Sequence, residues 1–141
     1  MKKILIFSAL IAFMVGISMQ TSLAETPTSS KTSKLSLKKV DANQVCMVNN
    51  TFLARQQIPV VVTDQKTKKE KTYYGCCEMC KTRLQQDESA RKAFDAWILE
   101  TKKKEEEVDK ADAIIAADET GKAYYFKNEE NWKKFRKKKG L

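Results

Sequence analysis

Residues 58–84, IPVVVTDQKTKKEKTYYGCCEMCKTRL, combine two strand patterns, a polar turn and the start of a helix. The β-branched run 58–64 and the aromatic run 71–76 flank the turn, which is the pattern of a β-hairpin. Residues 76–86 contain neither glycine nor proline and therefore predict a helix that begins at the cysteines. We expect a hairpin that leads directly into a helix.

A second hairpin–helix pattern lies near the C-terminus. Residues 111–118 (ADAIIAAD) and 122–126 (KAYYF) flank the turn ETG, and residues 128–137 predict a short helix with Asn128 as its N-cap. We therefore predict an α+β fold, a small domain of β-hairpins each followed by a helix. Between the two patterns, helical spacing of apolar positions predicts one further helix from Ala90, Ala93, Phe94, Trp97, Ile98 and Thr101.

The two hairpin–helix patterns also align residue by residue, and the second has no cysteine. Lys127 falls at the position of Cys76. Asn131 falls at the position of Cys80. An internal repeat and chance similarity between two strand-to-helix junctions both explain the match. A repeat would bury the aromatic side chains of the second unit against the first unit, namely Tyr124 or Tyr125, Phe126, Trp132 and Phe135.

The N-terminus has the pattern of an export signal. Two lysines precede an apolar run, and Ser22 and Ala24 stand at the minus-three and minus-one positions of a cleavage site. The apolar run is shorter than the roughly 20 residues of a spanning helix. Residues 1–24 thus predict a cleaved signal peptide, a periplasmic or secreted protein and no stable membrane insertion. Residues 25–39, rich in Ser, Thr and Lys, predict a disordered linker.

One folded domain is expected in residues 40–135. It comprises a cysteine unit, residues 40–88, and a cysteine-free hairpin–helix unit, residues 111–135. Residues 136–141 predict a basic tail. The chain has 27 Lys+Arg against 18 Asp+Glu, and removal of the two signal-peptide lysines leaves a net charge of +7. Because an exported protein is not expected to meet nucleic acid, we predict no nucleic-acid partner. We interpret the positive residues as part of a solvated surface.

Four cysteines carry the candidate chemistry. Cys76 and Cys80 are four residues apart, so on a helix their thiols lie on one face and could share one ion. Backbone N–H groups at a helix start favour the thiolate forms of Cys76 and Cys77. Cys46 comes from a separate segment and could close the site from the opposite side, as a ligand from a loop facing the hairpin.

Two other interpretations of the cysteines stay open. An even number of cysteines in an oxidising compartment is typical of a disulfide framework, in which Cys46 would bond to the cluster. Residues 77–80 also form a C-x-x-C at a helix start, which is the pattern of a thiol–disulfide redox protein. The absence of histidine excludes Ser-His-Asp hydrolysis, and the four glycines form no phosphate-binding loop. We predict a protein that is not an enzyme.

The pattern VCMVN, then a hairpin, then TYYGCCEMCKTRL resembles the TRASH and YHS domains, small modules associated with heavy-metal trafficking, resistance and sensing. The resemblance covers about residues 44–86. It implies that Cys46 is the early ligand and that Cys76 and Cys80 are the ligand pair. Cys77 stands where the family usually has serine or another small residue.

The chain departs from the family pattern in two places. The gap between Cys46 and Cys76 is longer by the length of the hairpin turn. Lengthening a surface loop costs little free energy of folding. Gly75 replaces the usual aromatic residue. The later segment, residues 108–126, resembles the C-terminal half of exported members from environmental bacteria.

A chain without histidine must build a metal site from sulfur. Soft thiolates suit Cu(I), and zinc or another soft metal is the alternative. Three thiolates suffice for Cu(I), whereas structural zinc would need Cys77 as a fourth ligand. Thioethers could contribute, but we expect core packing for both Met47 and Met79. The predicted ligands are Cys46, Cys76 and Cys80, with Cys77 in reserve or as the partner in exchange with a receiving protein.

These observations predict an exported protein that binds a soft metal ion, Cu(I), at a hairpin–helix junction. We expect a role in metal trafficking or resistance. The expected partners are the metal ion and an exported protein that donates or receives it.

Overall fold

Antiparallel pairs of short strands and three helices make up residues 36–101 and 105–141, the part of the chain that the computed structural model describes. Short 3-10 helices at Ala42–Gln44 and Ser89–Arg91 add to them. In chain order the elements are β1 (Leu37–Lys39), β2 (Val45–Cys46), β3 (Thr51–Phe52), β4 (Ile58–Thr63), β5 (Glu70–Gly75), α1 (Glu78–Gln86), β6 (Lys92–Phe94), α2 (Ala96–Glu100), β7 (Glu107–Asp109), β8 (Ile114–Asp118), β9 (Ala123–Phe126) and α3 (Glu129–Lys139).

Every strand pair is antiparallel. Strand β8 lies between β1 and β9 in a three-stranded sheet, and the other strands form ribbons of two, β2 with β3, β4 with β5 and β6 with β7. This mixture of small antiparallel hairpins and helices is compatible with the predicted α+β class. None of the helices in the described ranges has the length and apolar composition needed to span a bilayer.

The hairpin predicted at the start of the cysteine-rich stretch is confirmed. Strand β4 pairs with β5 in a register that sets Val60 opposite Tyr73, and both side chains are buried. Asp64 orders the turn, because its Oδ1 accepts hydrogen bonds from the backbone N–H groups of Lys66 and Thr67, at 2.8 Å each. The helix predicted at the cysteines follows as α1.

The C-terminal hairpin–helix pattern is confirmed as well. Strands β8 and β9 pair, and the side chain of Asn128 caps α3 by accepting a hydrogen bond from the backbone N–H of Asn131 at 2.9 Å. The N-cap residue of α1, Cys77, has φ −157° and ψ 170°, and Asn128 has φ −156° and ψ 170°. Both hairpins therefore turn into their helices with the same backbone geometry, which favours an internal repeat over chance similarity.

The helix predicted across residues 90–101 is confirmed only over Ala96–Glu100. Lys92–Phe94 form β6, which pairs with β7, and the five-residue helix α2 follows. Asp95 sets this late start, because its carboxylate accepts hydrogen bonds from the backbone N–H groups of Trp97 (2.8 Å) and Ile98 (3.2 Å). The apolar spacing in this segment therefore comes from a strand and a short helix in succession.

Two predicted boundaries need correction. The predicted linker ends earlier, because Leu37–Lys39 form β1 and pair with β8. The predicted basic tail, residues 136–141, is largely helical, since α3 continues to Lys139 and its last lysines pair with Glu100 at 2.9 and 3.5 Å. Positive charges are favourable at a helix C-terminus. The predicted signal peptide, residues 1–24, and most of the linker lie outside the described residues.

Two apolar clusters form the core. The larger one combines both hairpin–helix units and includes Met47, Leu84 and Tyr125. The smaller one packs α3 against α2 and β9. Burial of the aromatic side chains of the second unit is confirmed. Of the aromatic side chains that are fully buried, however, only Tyr125 lies in the larger cluster. The others pack beside α2 and not against the first unit, namely Phe126, Trp132 and Phe135.

A polar cluster also joins the two units. Asp109, at the end of β7, accepts a hydrogen bond from the Tyr73 hydroxyl at 2.9 Å and pairs with Lys71 Nζ at 3.0 Å. Lys71 Nζ also reaches the exposed Asp112 at 2.5 Å. Although burial opposes it, the hydrogen bonds from Lys71 and from the backbone N–H of Ala111 hold the pKa of Asp109 below its ordinary value. The carboxylate form therefore stabilises the folded state.

We expect Asp109→Ala to lower the free energy of unfolding by about 2 to 3 kcal/mol, because it leaves Lys71 and the Tyr73 hydroxyl without their shared, partly buried partner. Urea unfolding measures the change. The matched control, Asp112→Ala, removes an exposed carboxylate and should cost less than about 1 kcal/mol. The part of this difference that comes from the Asp109 charge should be complete above pH 3.8, the ordinary pKa, and should be lost as the pH falls below the lower folded value. Equal losses in the two variants would contradict this assignment.

Candidate metal centre

The candidate metal centre is the place where the side chains of the cysteines meet. Cys46 belongs to β2, a two-residue strand that is entirely buried. The backbone N–H of the next residue, Met47, donates to the carbonyl oxygen of Tyr74 in β5 at 2.9 Å. This bond holds Cys46 beside the end of the β4–β5 hairpin. The residue therefore faces the hairpin as expected, although from a short strand and not from a loop.

The other three cysteines occupy the junction of β5 and α1. Cys76 directly follows β5, Cys77 is the N-cap of α1, and Cys80 lies in the first turn of the helix. The first turn rests closely on the strand because residue 75 is glycine. A Cβ atom at Gly75 would lie 3.0 Å from the Cβ of Cys80 and 3.3 Å from its carbonyl carbon, closer than ordinary packing allows.

Three sulfur atoms meet at this junction. The Sγ atoms of Cys46, Cys76 and Cys80 all lie within 4.8 Å of one another. The Cys80 sulfur is 3.8 Å from that of Cys46 and 3.6 Å from that of Cys76. Sulfur ligands about 2.3 Å from an ion lie about 3.8 Å apart at a tetrahedral angle and about 4.0 Å apart at a trigonal angle. The three thiols therefore have the spacing of a ligand set and could hold a soft metal ion.

Cys77 stands at the edge of this set. Its Sγ is 3.5 Å from the Cys80 sulfur, but it does not belong to the group whose sulfur atoms are all within 4.8 Å of one another. Its side chain is exposed. The backbone N–H of Cys80 is the main group that lowers the pKa of the Cys77 thiol. Cys77 is thus an accessible, easily ionised thiol in contact with one of the three clustered cysteines.

The clustered thiols influence one another's ionisation. Burial opposes ionisation of Cys46, but the backbone N–H of Asn49 and the groups of Cys76 outweigh it and lower the pKa of the Cys46 thiol. The contact with Cys46 raises the pKa of Cys76, and burial with the neighbouring thiols raises that of Cys80 to about 12. One thiolate forms readily, and further thiolates are opposed by repulsion. A cation among the sulfur atoms would relieve that repulsion and release protons.

The two methionines near the cysteines differ in burial. Met47 is fully buried in the larger core cluster, as expected. Met79 is 80% exposed, so the core packing that we expected for it is wrong. Helix α1 buries Cys80 and Leu84, which lie one turn apart, and position 79 falls outside that face. Met79 thus places a thioether at the surface between two cysteines of the chain.

Lys110 contacts the segment that carries Cys46, and nothing in its local sequence marks it. Its side chain is 4% exposed, and Nζ donates hydrogen bonds to the carbonyl oxygens of Met47 (2.6 Å) and Ala90 (3.0 Å). The ammonium group also lies 5.4 Å from the ring centroid of Tyr125. Burial lowers the pKa of Lys110 to about 8, while the charge of Cys46 acts in the opposite direction. The side chain is therefore charged at neutral pH.

The second hairpin–helix unit fills the equivalent junction with a carboxylate. Asp95 Oδ2 accepts a hydrogen bond from the backbone N–H of Lys127 at 2.7 Å and another from Asn131 Nδ2 at 2.9 Å. These two residues align with Cys76 and Cys80. The positions that carry cysteine thiols in the first unit therefore carry hydrogen-bond donors to a carboxylate in the second unit.

Comparison with known proteins finds no match, whether among protein-family models, curated proteins or solved structures. The function of the centre is therefore argued from its geometry.

We expect Gly75→Ala to weaken metal binding by at least about tenfold, because the new Cβ pushes the first turn of α1, and with it Cys80, away from the other sulfur atoms. Metal affinity of the reduced protein measures the effect. Gly140→Ala is the control: it strains a glycine with φ 69° at the end of α3, where no atom lies near the added Cβ, and should leave metal affinity unchanged. Full affinity in Gly75→Ala would show that the close approach is not needed for binding.

Proposed function

We propose that this protein binds a soft metal ion, Cu(I), through the thiolates of Cys46, Cys76 and Cys80, and acts in metal trafficking or resistance. The mutual approach of the three sulfur atoms to within 4.8 Å carries this proposal. The proposed site lies at the junction of β5 and α1. The resemblance of the cysteine pattern to TRASH and YHS domains supports the same assignment.

The donor set supports Cu(I) over zinc. Cu(I) accepts three thiolates, whereas structural zinc sites have four protein ligands. Cys77 is the remaining cysteine, and its sulfur lies outside the mutually close group. The whole chain has no histidine to supply a nitrogen ligand. Zinc binding would therefore need Cys77 to turn inward or a water molecule to complete the shell.

The exposed side of the centre suits transfer of the ion. Cys77 is exposed beside Cys80, and the thioether of Met79, two residues after Cys77, is exposed as well. An incoming cysteine of a partner could displace one ligand at a time from this side, with Cys77 holding the ion during the exchange. We propose an exported donor or acceptor protein as that partner, in the periplasm or outside the cell.

Loss of a clustered thiol should weaken Cu(I) binding far more than loss of the exposed thioether. We expect Cys76→Ser and Cys80→Ser each to reduce the affinity of the reduced protein by more than about 100-fold, because the variants keep two thiolates. Met79→Leu should change it by less than about threefold, since its side chain is at the surface. Competition with a Cu(I) chelator gives the affinities. Equal retention of copper by Cys80→Ser and Met79→Leu would rule out the site.

Disulfide chemistry is the second candidate, either as a structural framework or as a thiol–disulfide redox activity. The 3.5 Å contact between the sulfur atoms of Cys77 and Cys80 favours it. This pair is a C-x-x-C at a helix start, with one exposed thiol. Oxidation of both pairs, Cys46 with Cys76 and Cys77 with Cys80, would give a framework of two disulfides. All four thiols are free in the structure.

Thiol counting and thermal melts separate the two functions. A metal-binding protein should stay folded when reduced, and its melting temperature should rise on addition of Cu(I). A protein stabilised by disulfides should contain no free thiol when isolated and should lose about 2 to 5 kcal/mol of stability on reduction. A redox protein should reduce a disulfide substrate, and Cys77→Ser should abolish that reaction. Collapse on reduction without any response to copper would favour the disulfide framework.

A further inference from the structure

Lys110 places a buried positive charge against the segment that carries Cys46. The lysine comes from the loop between β7 and β8, and its ammonium group bonds the carbonyl oxygen of Met47, the residue after Cys46. A second carbonyl oxygen, that of Ala90, and the face of Tyr125 complete its surroundings. These dipoles and the ring hold the side chain in one position.

The charge of Lys110 has no carboxylate beside it among the residues that the structure describes. The charged groups that act on it are Cys46 and Arg83, and Arg83 is itself a cation. A buried charge without an opposite charge is costly. The thiolates of the metal centre are the anions that could balance it.

We propose that Lys110 is the buried counter-cation of the Cys46, Cys76 and Cys80 centre and that its positive charge selects a monovalent soft ion over a divalent one. This inference rests on the proposed function. It assigns to Lys110 a role in specificity, exerted through the field at the sulfur atoms and without contact with the ion.

The charges of the two complexes give the direction of the selection. Three thiolates with a monovalent ion carry a net charge of −2, whereas three thiolates with a divalent ion carry −1. A fixed cation nearby therefore interacts with one more negative charge in the monovalent complex, and it stabilises that complex more than the divalent one. Both complexes start from the same free protein, so protonation of the free thiols cancels from the ratio of the two affinities.

The test uses Ag(I) and Cd(II), soft ions that do not change oxidation state in the assay. The affinity of the reduced protein for each ion is measured by competition titration, and the ratio of the two affinities is compared between variants. Lys110→Gln removes the charge but keeps N–H donors for the two carbonyl oxygens, and Lys110→Met removes both. Lys110→Arg keeps the charge. Lys71→Gln is the matched control, since it removes a partly buried lysine that pairs with Asp109.

We expect the ratio of Ag(I) to Cd(II) affinity to fall about tenfold, or about 1.4 kcal/mol, in Lys110→Gln and Lys110→Met. It should stay at the wild-type value in Lys110→Arg and in Lys71→Gln. An unchanged ratio in Lys110→Gln, even with both affinities lowered, would show that Lys110 supports only the fold. A ratio that falls equally in Lys110→Arg would show that side-chain shape sets the selectivity. If the wild-type protein binds neither ion, the proposed function fails as well.

Discussion

The close approach of α1 to β5 governs the architecture of the centre. It depends on the missing side chain at Gly75, where a Cβ would stand 3.0 Å from that of Cys80. Because the first helical turn rests on the strand, the Cys80 sulfur reaches under the end of the hairpin and contacts the sulfurs of three other cysteines. The absence of a side chain at position 75 therefore permits the close backbone contact between strand and helix.

The chain builds the same junction twice and closes it in two ways. In the second unit Phe126 takes the place of Gly75, and its ring packs 5.1 Å from that of Trp132. The polar groups that align with two of the cysteines bind the carboxylate of Asp95, which is fully buried. A carboxylate satisfies N–H donors without any added ion, whereas clustered thiolates repel one another until a cation joins them. The second junction is therefore closed by hydrogen bonds, whereas the first presents three thiols that could hold an ion.

Sequence patterns predicted the parts of the fold that depend on neighbouring residues. Both hairpins, the helix at the cysteines and the Asn128 cap follow from turn composition, strand alternation and capping preference, all of which act over a few residues. The helix predicted near residue 95 is shorter than expected, because the apolar spacing of residues 92–94 also fits a strand and these residues pair with β7. Strand β1 was missed for the same reason, since it exists only by pairing with β8.

The cysteine cluster was predictable from the sequence, and its surroundings were not. The soft character of thiolate ligands and the spacing of the cysteines single them out in this chain, which has no histidine. The structure does bring Cys46, Cys76 and Cys80 together. Lys110 gives no such signal, because its contact with Met47, the residue after Cys46, arises from packing across 63 residues. The exposure of Met79 likewise depends on which face α1 presents to the hairpin. That choice becomes clear only once Cys80 and Leu84 are known to share the buried side.

The sequence distances within the centre also bear on the order in which the chain folds. The β4–β5 hairpin and α1 are adjacent in sequence, so Cys76 and Cys80, four residues apart, can meet within a local structure that forms early. Cys46 contacts Cys80 across 34 residues, and Lys110 bonds Met47 across 63 residues. Closure of such long loops belongs to the later steps of folding. A chain that has formed only the β4–β5 hairpin and α1 therefore brings together the thiols of a single junction, and the cluster of Cys46, Cys76 and Cys80 exists only after β2 has docked.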